Sequence, residues 1–441
     1  MNKDQLRVTE TDMSGKLLAG IMVFKVLLSL FAVSWLAEAY PSLYKIDHFP
    51  DGYDKIAMNL IEGNGYRVYS DASETMQRLP GFVFVLAGIF YVFGKSLFAV
   101  QCFNLLCGLA TAFVVRATGR RFLKLGWQAD LAAALYLLYP GTLLAESRAG
   151  VESLFTFLII GFIYLLYQAL ESNKLSDYLL AGAVLGISTI IQSTTLVMPF
   201  FLVPLLFYYK ARSHGIVHVL KASIYLALPM ALIMMPWAVR NHLLTGEIVV
   251  TQTNLGTTAY QGMAVNDKAF TNSDHATVIG DATLELNTIA DDLGLDLVRY
   301  GFFQHFGNAK DEVLFDRYLA AAVKQQYLDS PALLVKNTNL NFLRFWYQGR
   351  TPKSTILNTL LVTPCLVLVC IGLYRGFRAN LTLLPIVYFS AIFIAGHLPI
   401  LTTARYHVTL VPLLALLAVL TWLPRSDAAG DQPGPAGKSQ A

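Results

Sequence analysis

Charge is scarce in this chain. Asp, Glu, Lys and Arg make up 14% of its 441 residues, against about 25% in soluble globular domains. With 55% hydrophobic residues and a mean hydropathy of +0.51, that scarcity excludes an ordinary soluble protein and defines an integral membrane protein. The net charge of +4 is too small to suggest a nucleic-acid partner. Cysteine is also scarce. Cys102, Cys107, Cys365 and Cys370 all lie inside apolar stretches without metal-ligand spacing, and they read as small core residues of helices. The apolar runs lack the strict alternation of a membrane β-barrel, so the spans are helices. No small-residue cleavage site follows the first apolar run, which reads as a retained span and not as a signal peptide.

What is present is a series of long apolar segments. A hydrocarbon core about 30 Å thick needs about 20 residues of helix. Candidate spans are 17–39, 97–117, 129–145, 150–170, 178–195, 196–209, 217–238, 355–374, 380–397 and 407–423. The run 80–94 is short and ambiguous. Four basic clusters stand between spans: Arg120, Arg121 and Lys124; Lys174; Lys210 and Arg212; Arg375 and Arg378. If 80–94 lies at the surface without crossing, all four fall on the side of the N-terminus. The positive-inside rule makes that side the cytoplasm. The expected class is an all-α polytopic membrane protein with about 10 to 12 spans. Its organisation reads as a cytoplasmic tail (1–16), a first membrane module (17–238) with an outer loop at 40–79, an exterior loop domain (239–353), C-terminal membrane helices (354–424) and a disordered tail (425–441). Within the loop domain, 311–328 has a helical pattern with Leu314, Tyr318, Ala321 and Val323 on its apolar face. Residues 339–348 are expected at the membrane interface, with Trp346 and Tyr347 in a headgroup-level belt.

The charges that remain gather at the outer edges of spans. The stretch FPDGYDKIAMNLIEGNGY (49–66) places Asp51, Tyr53 and Asp54 at the start of a short amphipathic helix, about 52–63, ended by Gly63 and Gly65. A half-buried carboxylate there is a candidate general base, because burial raises its pKa. Asp51 can equally be a helix N-cap. Arg78, in RLPGF, suits either a phosphate or an interface anchor. Glu146, Arg148 and Glu152 lie in AESRAGVESLF. Glu152 is a functional candidate by its membrane depth, or the partner of Arg148 or Arg78 in an ion pair. PWAVRN (236–241) brings Arg240, and HLPILTTARYH (397–407) brings His397, Arg405, Tyr406 and His407, to the same outer side. Such a face suits a ligand with a phosphate head and an apolar tail.

In their order along the chain, DGYDKIAMNLIEGNGY, RLPGF, VESLF, PWAVRNHLLTGEIVVTQTNLG and ARYH resemble the GT-C membrane glycosyltransferases. The nearest branch is the bacterial one similar to dolichyl-phosphate-mannose protein mannosyltransferases and the lipid A aminoarabinose transferase, and the resemblance covers residues 17–424. It implies a GT-C bundle with juxtamembrane helices in the first outer loop, in a bacterial inner membrane. It also implies a sugar donor on a polyprenyl monophosphate such as undecaprenyl phosphate. The acceptor would be a glycolipid, polysaccharide or protein approached from the periplasmic or exterior side. The family's base is an aspartate of the first outer loop, a position matched by Asp51, with Asp54 as the fallback. Arg78, Arg240 and Arg405 would stabilise the departing phosphate. Glu152 would position the acceptor or fix an arginine. Tyr53, Glu146, Arg148, His397, Tyr406 and His407 would position donor or acceptor. Here Asp51 is followed by Gly52, where the protein mannosyltransferases carry adjacent Asp-Glu, and the outer loop shows no β-trefoil insertion. No cofactor is implied, although Asp51, Asp54 and Glu152 could hold a divalent metal weakly. The other readings are a transporter or flippase of lipid-linked sugar and a polysaccharide polymerase or ligase with a diphosphate donor.

Overall fold

The computed structural model describes residues 3–39, 52–123, 125–268, 275–299, 304–349 and 352–423. The chain begins with α1 (Lys3–Ala39), α2 (Tyr53–Ile61), α3 (Pro80–Phe93), α4 (Leu97–Phe122), α5 (Gly126–Leu138), α6 (Pro140–Glu146), α7 (Glu152–Ser172) and α8 (Leu175–Thr189). A long helical run, α9 (Met198–Thr245), follows, broken at Gly215 by a left-handed φ of 76°. Then come α10 (Leu255–Lys268), α11 (His275–Asp292), strands β1 (Leu297–Arg299) and β2 (His305–Phe306), α12 (Ala309–Asp329) and α13 (Pro331–Tyr347). The last membrane elements are α14 (Pro352–Arg378), α15 (Leu384–His397), a 3-10 turn (Ala404–Leu410), α16 (Val411–Ala418) and a second turn (Val419–Trp422). Seven segments are long and apolar enough to cross a membrane, and α3, α8 and α15 are shorter apolar helices.

Hydrogen bonds and ion pairs sort the helix ends into two groups. At one end Arg121 pairs with Glu171, and Lys210 reaches the carbonyl of Leu170. There too Arg375 Nη1 donates to Thr421 O at 2.6 Å, Gln128 donates to Trp422 O at 3.3 Å, and Tyr167 donates to Thr382 O at 2.6 Å. Ser14 joins them through Asp130 Oδ2 at 2.6 Å. The basic clusters therefore meet at one end, beside the start of the first span. Lys124 and the side chain of Arg212 lie outside the described residues.

The short helix α3 settles the parity. Its N-terminus donates from Gly81 N to Ile190 O at 2.9 Å, past the end of α8 remote from the basic clusters. Just beyond its C-terminus, Lys95 lies 3.6 Å from Asp54 of α2. Both ends of α3 thus sit at the far end of the bundle. Ten segments then run between the two ends among the described residues: α1, α4, α5 with α6, α7, α8, the two halves of α9, α14, α15 and 404–422. The expected single span 129–145 is split at Tyr139, which is extended (φ −69°, ψ 123°) because Pro140 follows it.

The loop domain is α-rich as expected, but two details differ. Helix α12 buries Val313, Phe315, Leu319 and Val323 together with Glu312 and Asp316, while Leu314 and Tyr318 are 53% and 46% exposed. The buried face contains two carboxylates, so a hydrophobicity pattern turns the helix to the wrong face. Trp346 is buried and stacks on His407 (ring centroids 5.9 Å apart), so it is a core residue and not part of a headgroup belt.

Candidate functional site at the far end of the bundle

The site begins at α2. Gly52, at φ 73°, occupies the N-cap position of this helix. Asp51 itself lies outside the described residues. Gly63 and Gly65 follow the helix at φ 80° and 85°. Asp54, in the first turn, is buried, with Lys95 Nζ 3.6 Å away. Burial raises its pKa, and the charges of Lys95 and Lys55 pull it back only in part. Tyr53 packs edge-on against Phe82 at 5.5 Å, and the guanidinium of Arg78 lies 5.3 Å from the Tyr53 ring centroid. Lys55 donates to Tyr69 OH at 3.0 Å, and His305 packs on the same Tyr69 ring. Burial, with Arg78 and Lys55 nearby, pushes the His305 imidazolium down to about 4. Lys55, Arg78 and Lys95 thus gather around the start of α2, with Asp54 among them.

Residues 73–78 form the second part. Ser73 N donates to Phe306 O at 2.9 Å, Gln77 Nε2 to Gln304 O at 2.5 Å, and Thr253 N to Met76 O at 3.1 Å. The segment is thus bonded along its length to the loop domain. Arg240 grips it from the membrane side, through Thr75 O at 3.0 Å and Glu74 Oε2 at 2.9 Å. The Arg240 guanidinium also lies over Tyr66 and Trp237. Arg78 is buried, donates to Gln77 O at 3.2 Å, and its own carbonyl accepts from Tyr66 OH at 3.0 Å. Tyr66 therefore joins Arg78 to Arg240. Arg240 clamps the segment, and Arg78 projects from it towards Tyr53.

The remaining expected residues divide into two groups. Arg405 is exposed and lies 3.7 Å from Glu152 Oε1. Glu152 thus pairs with Arg405 and not with Arg148 or Arg78. Tyr406 packs on His397 at 4.7 Å, and the Arg405 guanidinium lies 5.4 Å from its ring. His397 and His407 turn inward. His397 bonds Phe393 O at 2.8 Å, and His407 meets Tyr139 OH at 2.5 Å and Phe345 O at 3.2 Å. Both rings are buried, and the His407–Phe345 contact holds the 397–407 connection against α13. Glu146 is buried in the bundle, 3.1 Å from Lys25 and 3.5 Å from Ser29, so it ties α6 to α1 and does not line the outer face. The Arg148 carbonyl accepts from Asn104 at 2.6 Å, and its side chain is half-buried. Among the described residues no group of three His, Cys, Asp or Glu side chains converges.

Two participants are absent from the sequence expectations. Lys95 stands alone after a short apolar helix, which gives little signal. Glu312 sits in DEVLFDRY, where the charge density reads as a solvated face.

Residues 77–239 match the sequence model of the dolichyl-phosphate-mannose-protein mannosyltransferase family. No curated protein matches the chain by sequence. Among solved structures, the oligosaccharyltransferase AglB of Archaeoglobus fulgidus, in complex with an inhibitory peptide and a dolichol-phosphate, aligns with a TM-score of 0.50. The identity is 14%, over 91% of this chain and 50% of that one. The A. fulgidus oligosaccharyltransferase tethered with an acceptor peptide gives 0.52 at 13% identity, over 92% and 49%. ArnT of Cupriavidus metallidurans, bound to undecaprenyl phosphate, gives 0.40 at 13% identity, over 91% and 78%. The chain spans about half the length of the archaeal oligosaccharyltransferase. It is an all-α multi-pass membrane protein with the GT-C fold of membrane glycosyltransferases. The match to the mannosyltransferase model runs from Gln77, the residue before Arg78, to Val239, the residue before Arg240.

Proposed function

We propose that this protein transfers a sugar from a polyprenyl monophosphate, such as undecaprenyl phosphate, to an acceptor at the exterior face of a bacterial inner membrane. The observation that carries the reading is the wall at the far end of the bundle, where Asp54, Lys95, Arg78 and Tyr53 surround the start of α2. Fixed cations at the start of α2 suit a phosphate whose charge grows as it departs. Asp54 is sealed against Lys95. We therefore assign it to anchoring α2 and assign the base to Asp51, three residues earlier.

In this mechanism the Asp51 carboxylate takes the proton of an acceptor hydroxyl or amine as that group attacks the anomeric carbon. The carbon–oxygen bond to phosphate breaks, its electron pair leaves with the phosphate, and the configuration inverts. A phosphate leaving group needs no strong acid, but its growing charge needs donors. Arg78 and Arg405 supply them, and Arg240 holds the strip from which Arg78 projects. The Glu152 carboxylate orients Arg405.

The test is mass spectrometry of envelope lipids, polysaccharides and proteins from cells carrying the wild type, Asp51→Asn or Asp54→Asn. Asp51→Asn is expected to abolish one sugar modification while the protein accumulates normally. Loss only with Asp54→Asn would move the base to that residue. No change in any glycan with either stable variant would reject the transferase reading.

A further inference from the structure

Glu312 of α12 is buried, yet it lies 237 residues along the chain from Thr75, which it contacts. Its Oε2 accepts from Thr75 Oγ1 at 2.8 Å, and its Oε1 accepts from Met76 N at 2.8 Å and also from Thr253 Oγ1. Three parts of the chain therefore converge on one carboxylate: the first outer loop, the entry to α10 and α12. The Thr75 contact continues inward. A hydroxyl that gives its hydrogen to Glu312 keeps its lone pairs, and Thr75 Oγ1 accepts from Gln77 N at 3.0 Å. That bond sets the turn whose next carbonyl, Gln77 O, receives Arg78 Nη1 at 3.2 Å and Asn254 Nδ2 at 3.4 Å.

From this chain of contacts we propose that Glu312 is the positioning residue for Arg78. It acts through Thr75 and the backbone of residues 75–77, and so couples the loop domain to the donor-phosphate site. The inference rests on the transferase reading for what Arg78 binds, but not for how Arg78 is held. The hydrogen bonds, and not the negative charge, do the positioning. A glutamine can accept from Met76 N and Thr253 with its carbonyl oxygen and donate to Thr75 Oγ1 with its amide. The Thr75 hydroxyl reverses direction and still receives Gln77 N–H. An alanine leaves all three donors buried without an acceptor.

The experiment uses the full chain in detergent and undecaprenyl monophosphate as the probe. Binding is measured for wild type, Arg78→Ala, Glu312→Ala, Glu312→Gln and the double variant Glu312→Ala/Arg78→Ala, with amide hydrogen exchange across 73–78. Glu312→Ala is expected to weaken binding by about 10-fold or more, as for loss of a charge-assisted contact. Glu312→Gln should stay within about 3-fold of wild type, and the double variant within about 2-fold of Arg78→Ala alone. The Met76 amide should exchange faster in Glu312→Ala and not in Glu312→Gln. Wild-type binding by a folded Glu312→Ala protein, or additive losses in the double variant, would overturn the proposal. If Glu312→Ala does not accumulate, Thr75→Val removes only the hydroxyl link, and wild-type binding by that variant would overturn it equally. Should the wild type itself bind no undecaprenyl monophosphate, the donor assignment fails. The exchange arm then still decides the positioning: unchanged protection of Met76 in Glu312→Ala rejects it.

Discussion

A carboxylate sealed from water and given three hydrogen-bond donors is subject to two opposed effects. The donors favour the anion and burial disfavours it. At Glu312 burial wins and pushes the carboxyl up to about 7, with neighbouring Asp316 adding to the rise. Asp316, which accepts from Gly256 N and Thr257 N at the start of α10, is pushed up to about 6 by its own burial. The sign for stability follows. In the unfolded chain Glu312 ionises near its ordinary value of 4.5, so between about pH 4.5 and 7 the folded form holds a proton that the unfolded form has released. Within that window stability falls as pH rises, by up to about 1.4 kcal/mol per pH unit for this group, and levels off above it. Glu312→Gln should remove this contribution. The thermal midpoint of the variant, relative to wild type, is expected to rise between pH 5 and pH 8. A difference independent of pH would show that the carboxyl titrates near its ordinary value. The residue also shows why the site was only partly legible. Asp51, Asp54, Arg78 and Arg405 stand out because charge is rare next to apolar spans. Glu312 stands among Asp311, Asp316 and Arg317, and nothing local distinguishes a buried acid from its solvated neighbours.

Among the elements, α8 and the second half of α9 approach closely. Gly182 and Gly186, four apart in AGAVLGIS, let the two backbones come together. A Cβ on Gly182 would lie 2.1 Å from Leu226 O, and one on Gly186 would lie 2.7 Å from the Cα of Met230. In lipid, where apolar side chains gain little by leaving the tails, such close packing supplies much of the association. Gly182→Val should therefore force the helices apart and destabilise the fold by roughly 2–4 kcal/mol, on the scale of overpacking a core. The measurement is the thermal midpoint in detergent against Gly88→Val, where nothing lies within 4 Å of the added Cβ. Equal midpoints for the two variants would refute the close-packing role. Element identity was readable from apolar run length for most spans. It was less readable where packing sets the limits: α3 ends at Gly94 without crossing, and α12 turns two carboxylates inward.

At the scale of the molecule, the two ends differ in what they carry. One gathers Arg120, Arg121, Lys174, Lys210, Arg375 and Arg378. The other gathers α2, the 73–78 strip, the Glu152–Arg405 pair and the loop domain. This division was legible in the sequence because loop charge is read by the membrane itself, whereas the contacts that build the far end are long-range and leave no local periodicity. Ten crossings and a surface-lying α3 make a strict forecast for side-specific labelling. On a background lacking Cys102, Cys107, Cys365 and Cys370, Ser70→Cys and Lys95→Cys should react with an impermeant maleimide added outside spheroplasts. Ser213→Cys, at the break in α9, should react only after permeabilisation. Ser70 and Lys95 bracket α3, so labelling of Lys95→Cys from the opposite side to Ser70→Cys would mean that α3 crosses. That result would put the basic clusters on both sides of the membrane and separate Asp54 from Lys95. The charged wall on which the donor-phosphate assignment rests could not then exist.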